Sequence, residues 1–233
     1  MPAATAMPTK HALRHAEIPQ AASQLLIATA SSEDATEGVL ACDERDGETW
    51  KRIREIPVVF GRTRFAARAD RPDTMGTAHP PGRLKKEGDG ATPIGFFAFL
   101  PAYLKHPLAG GIRWPHQVTP ETLVWIDDPA HPRYNQPVDM AAHPKDWASA
   151  EEMRRADGIY DVVIPIDYNR DGTFPGAGSA IFFHIWRGPG HPTDGCTAMS
   201  REDIEWLLRW LDPAKRPILL QAPDGPALQD ATA

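Results

Sequence analysis

Two residues in the stretch 178–199, GSAIFFHIWRGPGHPTDGCTAM, have side chains suited to nucleophilic catalysis. His184 sits in an apolar run, and Cys196 follows a Gly/Pro-rich connection in the order Asp-Gly-Cys-Thr. A thiol attacks as thiolate, and a neighbouring imidazole is the usual group that deprotonates it. A strand that holds His184 still, with a loop returning Cys196 to it, supplies such a pair. In an extended strand Ala180, Phe182, His184 and Trp186 share one face, and Ile181, Phe183 and Ile185 the other.

Each residue also has a plainer reading. A lone histidine on a strand is more often a satisfied core or rim residue, and an isolated cysteine is most often a small buried hydrophobe. The surroundings of Cys196 favour chemistry. Gly195 permits close approach of the backbone to a substrate. The Gly195 and Cys196 amides are suited to hold an oxyanion. A helix opening at Ser200 brings the positive end of its dipole near the sulfur, which favours thiolate.

Three other patterns carry less. His184, His191, Asp194 and Cys196 are zinc-ligand types, but no H-x-x-x-H or C-x-x-C spacing accompanies them, so no metal is expected. The run from Asp167 to Gly172 matches the opening of a calcium loop. Its twelfth position is Gly178 rather than the required Glu, so it reads as a turn. The glycine-punctuated stretch 85–95 lacks the order of a phosphate loop and reads as a solvated turn ahead of a strand.

The chain has 233 residues, 42% hydrophobic and 24% charged, as expected of one sizeable globular domain. Its 24 prolines are about twice the usual share, which favours short strands and many turns over a helix bundle. A net charge of −6 gives no basic footprint for nucleic acid. No apolar run is long enough to span a membrane, and residues 1–20 lack the apolar stretch of an export signal. The two cysteines, Cys42 and Cys196, are expected as free thiols, since a bridge would silence a nucleophile.

Residues 1–20 read as a mobile lead-in, 21–222 as one domain and 223–233 as a tail. Strands are expected over 24–30, 38–42, 49–60 (as one or two), 91–100, 123–126, 161–166, 180–185 and 217–221. Residues 62–84 read as a long surface loop and 147–155 as a short helix. One helix is clear over 200–211: Ser200 and Asp203 form a capping box, and Ile204, Leu207, Leu208 and Leu211 share a face. The sum is a mainly β domain with one C-terminal α-helix and short helices in loops.

At this point family likeness adds to the physics. Residues 178–199 resemble the active-site signature of the L,D-transpeptidase catalytic domain (the YkuD fold), in which a strand histidine precedes a Gly-Cys motif. Lys86-x-Gly88-Asp89-Gly90-x-Thr92-Pro93-x-Gly95 is similar to a second motif of that family. Trp125 to Pro129, Tyr134-Asn135 and Asp167-Tyr168-Asn169 are similar to its exported, uncharacterised branch. The likeness spans residues 23–222.

The resemblance implies a β-sandwich-like catalytic fold and a periplasmic or cell-wall location; no cofactor is expected, and a monomer is. Peptidoglycan stem peptides would be the substrate. It implies thioester formation on Cys196, release of D-alanine and transfer to an amine, with water as an alternative acceptor and a non-catalytic wall-binding domain as another reading. Cys196 is then the nucleophile, His184 its base, Gly195 an oxyanion donor, and the Ile185 carbonyl the group that orients His184. Lys86, Asp89, Thr193, Asp194, Trp186, Arg187, Tyr168 and Asn169 are expected to meet the substrate.

Two positions depart from the family pattern S/T-H-G-C-x-R: Asp194 replaces the histidine and Ala198 the arginine. A carboxylate at Asp194 would oppose thiolate formation, with Arg187, Arg113 or Arg133 as candidates to offset it.

Overall fold

The structure, a computed structural model, describes residues 18–32, 34–69, 83–170 and 172–224. The expected lead-in up to residue 17 and the tail from residue 225 lie outside the described residues. Ile18 is already buried, packed with Leu25 and Ile27.

Among the described residues fourteen strands run in chain order: β1 Gln24–Ala30, β2 Glu37–Asp46, β3 Thr49–Val59, β4 Phe65–Ala67, β5 Thr92–Phe97, β6 Ala102–Leu104, β7 His116–Val118, β8 Leu123–Ile126, β9 Pro137–Asp139, β10 Ala150–Glu152, β11 Val162–Pro165, β12 Phe182–Ile185, β13 Thr197–Met199 and β14 Ile218–Pro223. The helix α1 spans Arg201–Trp210, and a 3₁₀ turn follows at Pro213–Lys215. Eleven strands form one sheet in the order β4-β5-β14-β1-β2-β3-β13-β12-β11-β6-β7, and β10-β8-β9 form a second. The protein is mainly β, as its sequence pattern requires.

The large sheet and α1 share one core. Leu26 of β1, Ile56 of β3, Ile164 of β11 and Phe183 of β12 meet Ile204, Leu207 and Leu208 of α1. Each fully buried aliphatic side chain here contributes about 1.5–3 kcal/mol relative to exposure. Ser200 caps α1 by accepting from the Asp203 N–H, and Glu202 and Asp203 place acid in its first turn.

Two departures from the sequence reading have physical reasons. Residues 147–155 do not form a helix; β10 lies there and pairs with β8, Glu151 opposite Trp125. Trp147 packs with Val124, Ile126 and Val138, while Met153 packs with Leu123 and Trp125. Those contacts override a modest helical preference. Within the expected loop 62–84, the three-residue strand β4 pairs with β5, and the part from 70 to 82 lies outside the described residues.

Candidate active site

The strand β12 carries His184, and β13 runs parallel beside it with His184 opposite Ala198 and Phe183 opposite Thr197. One step further back, Cys196 lies across from Phe182, whose N–H donates to its Sγ at 3.3 Å. Alternation puts Phe182 and His184 on one face of β12, so sulfur and imidazole are diagonal neighbours on a common face. Both line one cleft of about 360 Å³.

The loop between them is tied down at both ends. Trp186 N–H donates to the Met199 carbonyl at 2.8 Å, which prolongs the ladder. Thr193 N–H donates to Phe60 C=O at 2.9 Å, and Arg62 N–H donates to Thr193 C=O at 2.7 Å, docking the loop on the end of β3. The Thr193 hydroxyl donates to Cys196 C=O at 2.6 Å and accepts from Gly195 N–H at 3.1 Å. Thr193 thus shapes the turn that presents the thiol. It also occupies the Gly195 amide.

Gly195 has a φ of +127°, and a Cβ there would stand 2.7 Å from the Ala91 carbonyl oxygen. Glycine is required by both backbone and space. The close approach it permits is to the start of β5, in addition to any substrate.

The imidazole is fixed in tautomer. His184 Nδ1 lies 2.9 Å from the Ile185 carbonyl, an acceptor only, so Nδ1 carries the proton and Nε2 keeps its lone pair. Tyr160 meets the ring edge-on, with centroids 5.2 Å apart. Burial pushes the His184 pKa down to about 4, and the Arg187 and Arg155 charges push the same way against the Ile185 hydrogen bond.

Burial likewise pushes the Cys196 thiol up to about 12, with Glu151 and Asp194 adding to it and the Phe182 amide and Lys85 opposing it. The S–H donates to the Ala180 carbonyl at 3.4 Å. The expected pull of α1 on the sulfur does not prevail, because desolvation outweighs it and Ser200, Glu202 and Asp203 occupy that helix end. At rest the pair is neutral thiol and neutral imidazole.

Residues 178–180, which lead into β12, are held one by one. Gly178 N–H donates to the Tyr134 hydroxyl at 3.0 Å, the Ser179 hydroxyl donates to Glu87 at 2.7 Å, and Ala180 N–H donates to Asn135 Oδ1 at 3.1 Å. Tyr134 also donates to the same Glu87 oxygen. Asn135 reaches further, accepting from Trp125 Nε1 and donating to the Tyr168 and Asn169 carbonyls. Ala180 is held at a φ of +52°, a conformation unusual for a residue with a Cβ.

Of the residues expected to meet substrate, Thr193, Asp194, Trp186 and Arg187 line the cleft with Cys196 and His184. Tyr168 and Asn169 are buried and do not line it. Tyr168 donates to Ala177 C=O, and the Asn169 side chain closes the 169–178 turn through Phe174 and Gly178. Lys86 is exposed outside the cleft, and its neighbour Lys85 lines it instead. Asp89 organises the loop, accepting from Lys85 Nζ at 2.7 Å, Lys86 N–H at 2.8 Å and Ala91 N–H at 2.9 Å. Asp194 is paired by Arg62 at 2.7 Å, not by the three arginines expected: Arg187 pairs with Asp157, Arg113 with Asp212, and Arg133 is not among its ion-pair partners.

Sequence reading missed Glu87, Asp127, Glu151, Arg155 and Tyr160, which also line the cleft. Glu87 lay inside a stretch already singled out, but no spacing links the other four to Cys196. Among the described residues, no three His, Cys, Asp or Glu side chains converge as metal ligands do. Both cysteines are free thiols.

Residues 42–220 match the family model of the L,D-transpeptidase catalytic domain. The chain belongs to this family. The match covers both Cys196 and His184 and most of the large sheet, and the family acts on peptidoglycan. No curated protein matches the chain. Among the described residues, no helix is long and apolar enough to cross a membrane. In this L,D-transpeptidase domain the family motif's arginine position is Ala198, fully buried opposite His184.

Proposed function

We propose that the protein is a cysteine acyltransferase of the cell wall that takes a stem tetrapeptide as acyl donor. The observation that carries this reading is the shared cleft: a thiol and a tautomer-fixed imidazole on one face of adjacent strands, with Nε2 unengaged by the Ile185 contact. Cys196 attacks the carbonyl between an L-centre and the terminal D-alanine. His184 Nε2 takes the thiol proton as the S–C bond forms. The Cys196 amide, with that of Gly195 once Thr193 releases it, receives the oxyanion. The tetrahedral intermediate then collapses, the C–N bond breaks, and His184 returns the proton to the leaving amine. An amine next attacks the thioester and restores the thiol.

Because the resting thiol is protonated, proton transfer accompanies attack rather than preceding it. The periplasm or cell wall is the place where such a donor exists.

Incubation with a disaccharide-tetrapeptide and excess D-methionine tests this reading by product mass. Exchange of D-alanine for D-methionine, lost in the Cys196→Ala variant, supports transfer. Loss of D-alanine without exchange points to water as acceptor, and no product from folded protein contradicts an acyl-transfer role.

A further inference from the structure

Four lysine and arginine side chains line the cleft: Arg62, Lys85, Arg155 and Arg187. Three have a carboxylate of their own. Lys85 pairs with Asp89 at 2.7 Å, Arg62 with Asp194 at 2.7 Å, and Arg155 with Asp157 at 2.8 Å. Arg187 only shares Asp157, through one Nη2 contact at 3.3 Å. Arg155 also reaches Glu151 at 3.8 Å, which leaves Arg187 the cation of the cleft with the loosest carboxylate partner.

This end of the cleft adjoins the histidine. The Arg155 guanidinium stands over the Tyr160 ring at 5.4 Å, and Tyr160 meets His184 edge-on. Strict alternation along β12 would send Arg187 to the side of Ile185, away from His184. The strand ends at Ile185, however, and the chain bends at Arg187 and at Gly188, whose φ is +130°, so that Arg187 lines the cleft with His184.

From these observations we infer that Arg187, positioned by Asp157 beside Arg155, is the binding site for the α-carboxylate of the leaving amino acid. The inference rests on the acyl-transfer reading above. His184 must hand its proton to the leaving nitrogen, which places that nitrogen at Nε2. In a C-terminal residue the carboxylate carbon lies only about 2.5 Å from that nitrogen, by standard bond lengths. A free carboxylate therefore falls at the His184 end of the cleft, where Arg187 has donors to spare. The same site would accept the carboxylate of an incoming D-amino acid, whose amine then lies where the departing one was. A donor whose chain continues past that residue has no carboxylate to offer.

The test compares two synthetic muropeptide tetrapeptides, one ending in D-alanine and the other in D-alaninamide. Thioester formation is followed by intact-protein mass, and kcat/KM is taken for each peptide. The wild-type protein should favour the acid over the amide by about tenfold or more, the usual worth of one charge-assisted hydrogen bond. In Arg187→Gln the ratio should fall to near one, and Arg187→Lys should recover part of it. Equal rates in the wild type, or an undiminished ratio in Arg187→Gln, would overturn the inference and leave the acyl-transfer reading standing. Acylation by neither peptide in folded wild-type protein would overturn that reading itself.

Discussion

The two cysteines look alike until their surroundings are compared. Cys42 and Cys196 are both buried, both free, and both pushed up to about 12 by desolvation. Cys42 lies on β2 inside the main core with Leu26, Leu40 and Ile56. Cys196 lines a cleft together with an imidazole whose Nδ1 is bonded to the Ile185 carbonyl. Acidity at rest does not separate the thiol we propose as nucleophile from the one packed in the core. What separates them is access for a carbonyl and a base on the same face.

The sharpest way to break this comparison is to exchange the thiols for methyls. Cys196→Ala should abolish thioester formation, whereas Cys42→Ala should retain it and cost about 1 kcal/mol in denaturant unfolding through the small cavity left. Removing the base comes next. His184→Gln should slow acylation by roughly 10²–10⁴-fold in single-turnover measurements, the range of general base catalysis.

A pH series sharpens the same point. His184 has a folded pKa near 4, below its ordinary value of 6.5, so acylation should rise through an acid limb near pH 4. The thiol, held at about 12, adds no alkaline limb near neutrality. The same shift couples to stability. Between about pH 6.5 and 4 the unfolded chain binds a proton on this histidine and the native state does not, so stability falls as pH drops through that window. His184→Gln should remove that part of the acid sensitivity, on the order of 3 kcal/mol, in urea unfolding at pH 7 and pH 4.

The smallest expected effect concerns presentation of the thiol. Thr193→Val removes the hydroxyl that holds both the Cys196 carbonyl and the Gly195 amide. Acylation should slow by about tenfold, with a loss of about 1 kcal/mol in stability. Unchanged kinetics would show that the turn presents Cys196 without Thr193.

The comparison also shows how far a sequence can be read. His184 and Cys196 were legible because one element and one loop bring them together, and apolar alternation with a glycine-flanked cysteine marks both. The helix α1 was legible from Ser200, Asp203 and a single apolar face. The holding of residues 178–180 by Glu87, Tyr134 and Asn135 was not, since those contacts join segments 44, 92 and 45 positions apart. Local spacing carries no record of such pairs. Lys85 and Lys86 show a finer limit: a one-residue step exchanges the buried and exposed sides, and motif likeness alone picked the exposed one. At β10, Trp147 and Met153 found partners on β8 and β9 that a helical reading of 147–155 had no means to anticipate.

Intact-mass analysis of wild type, Cys42→Ala and Cys196→Ala after brief exposure to a disaccharide-tetrapeptide tests the central claim most directly. The account predicts a gain equal to the donor less D-alanine in the first two proteins and none in the third. An adduct that survives in Cys196→Ala, or that vanishes in folded Cys42→Ala, would contradict it.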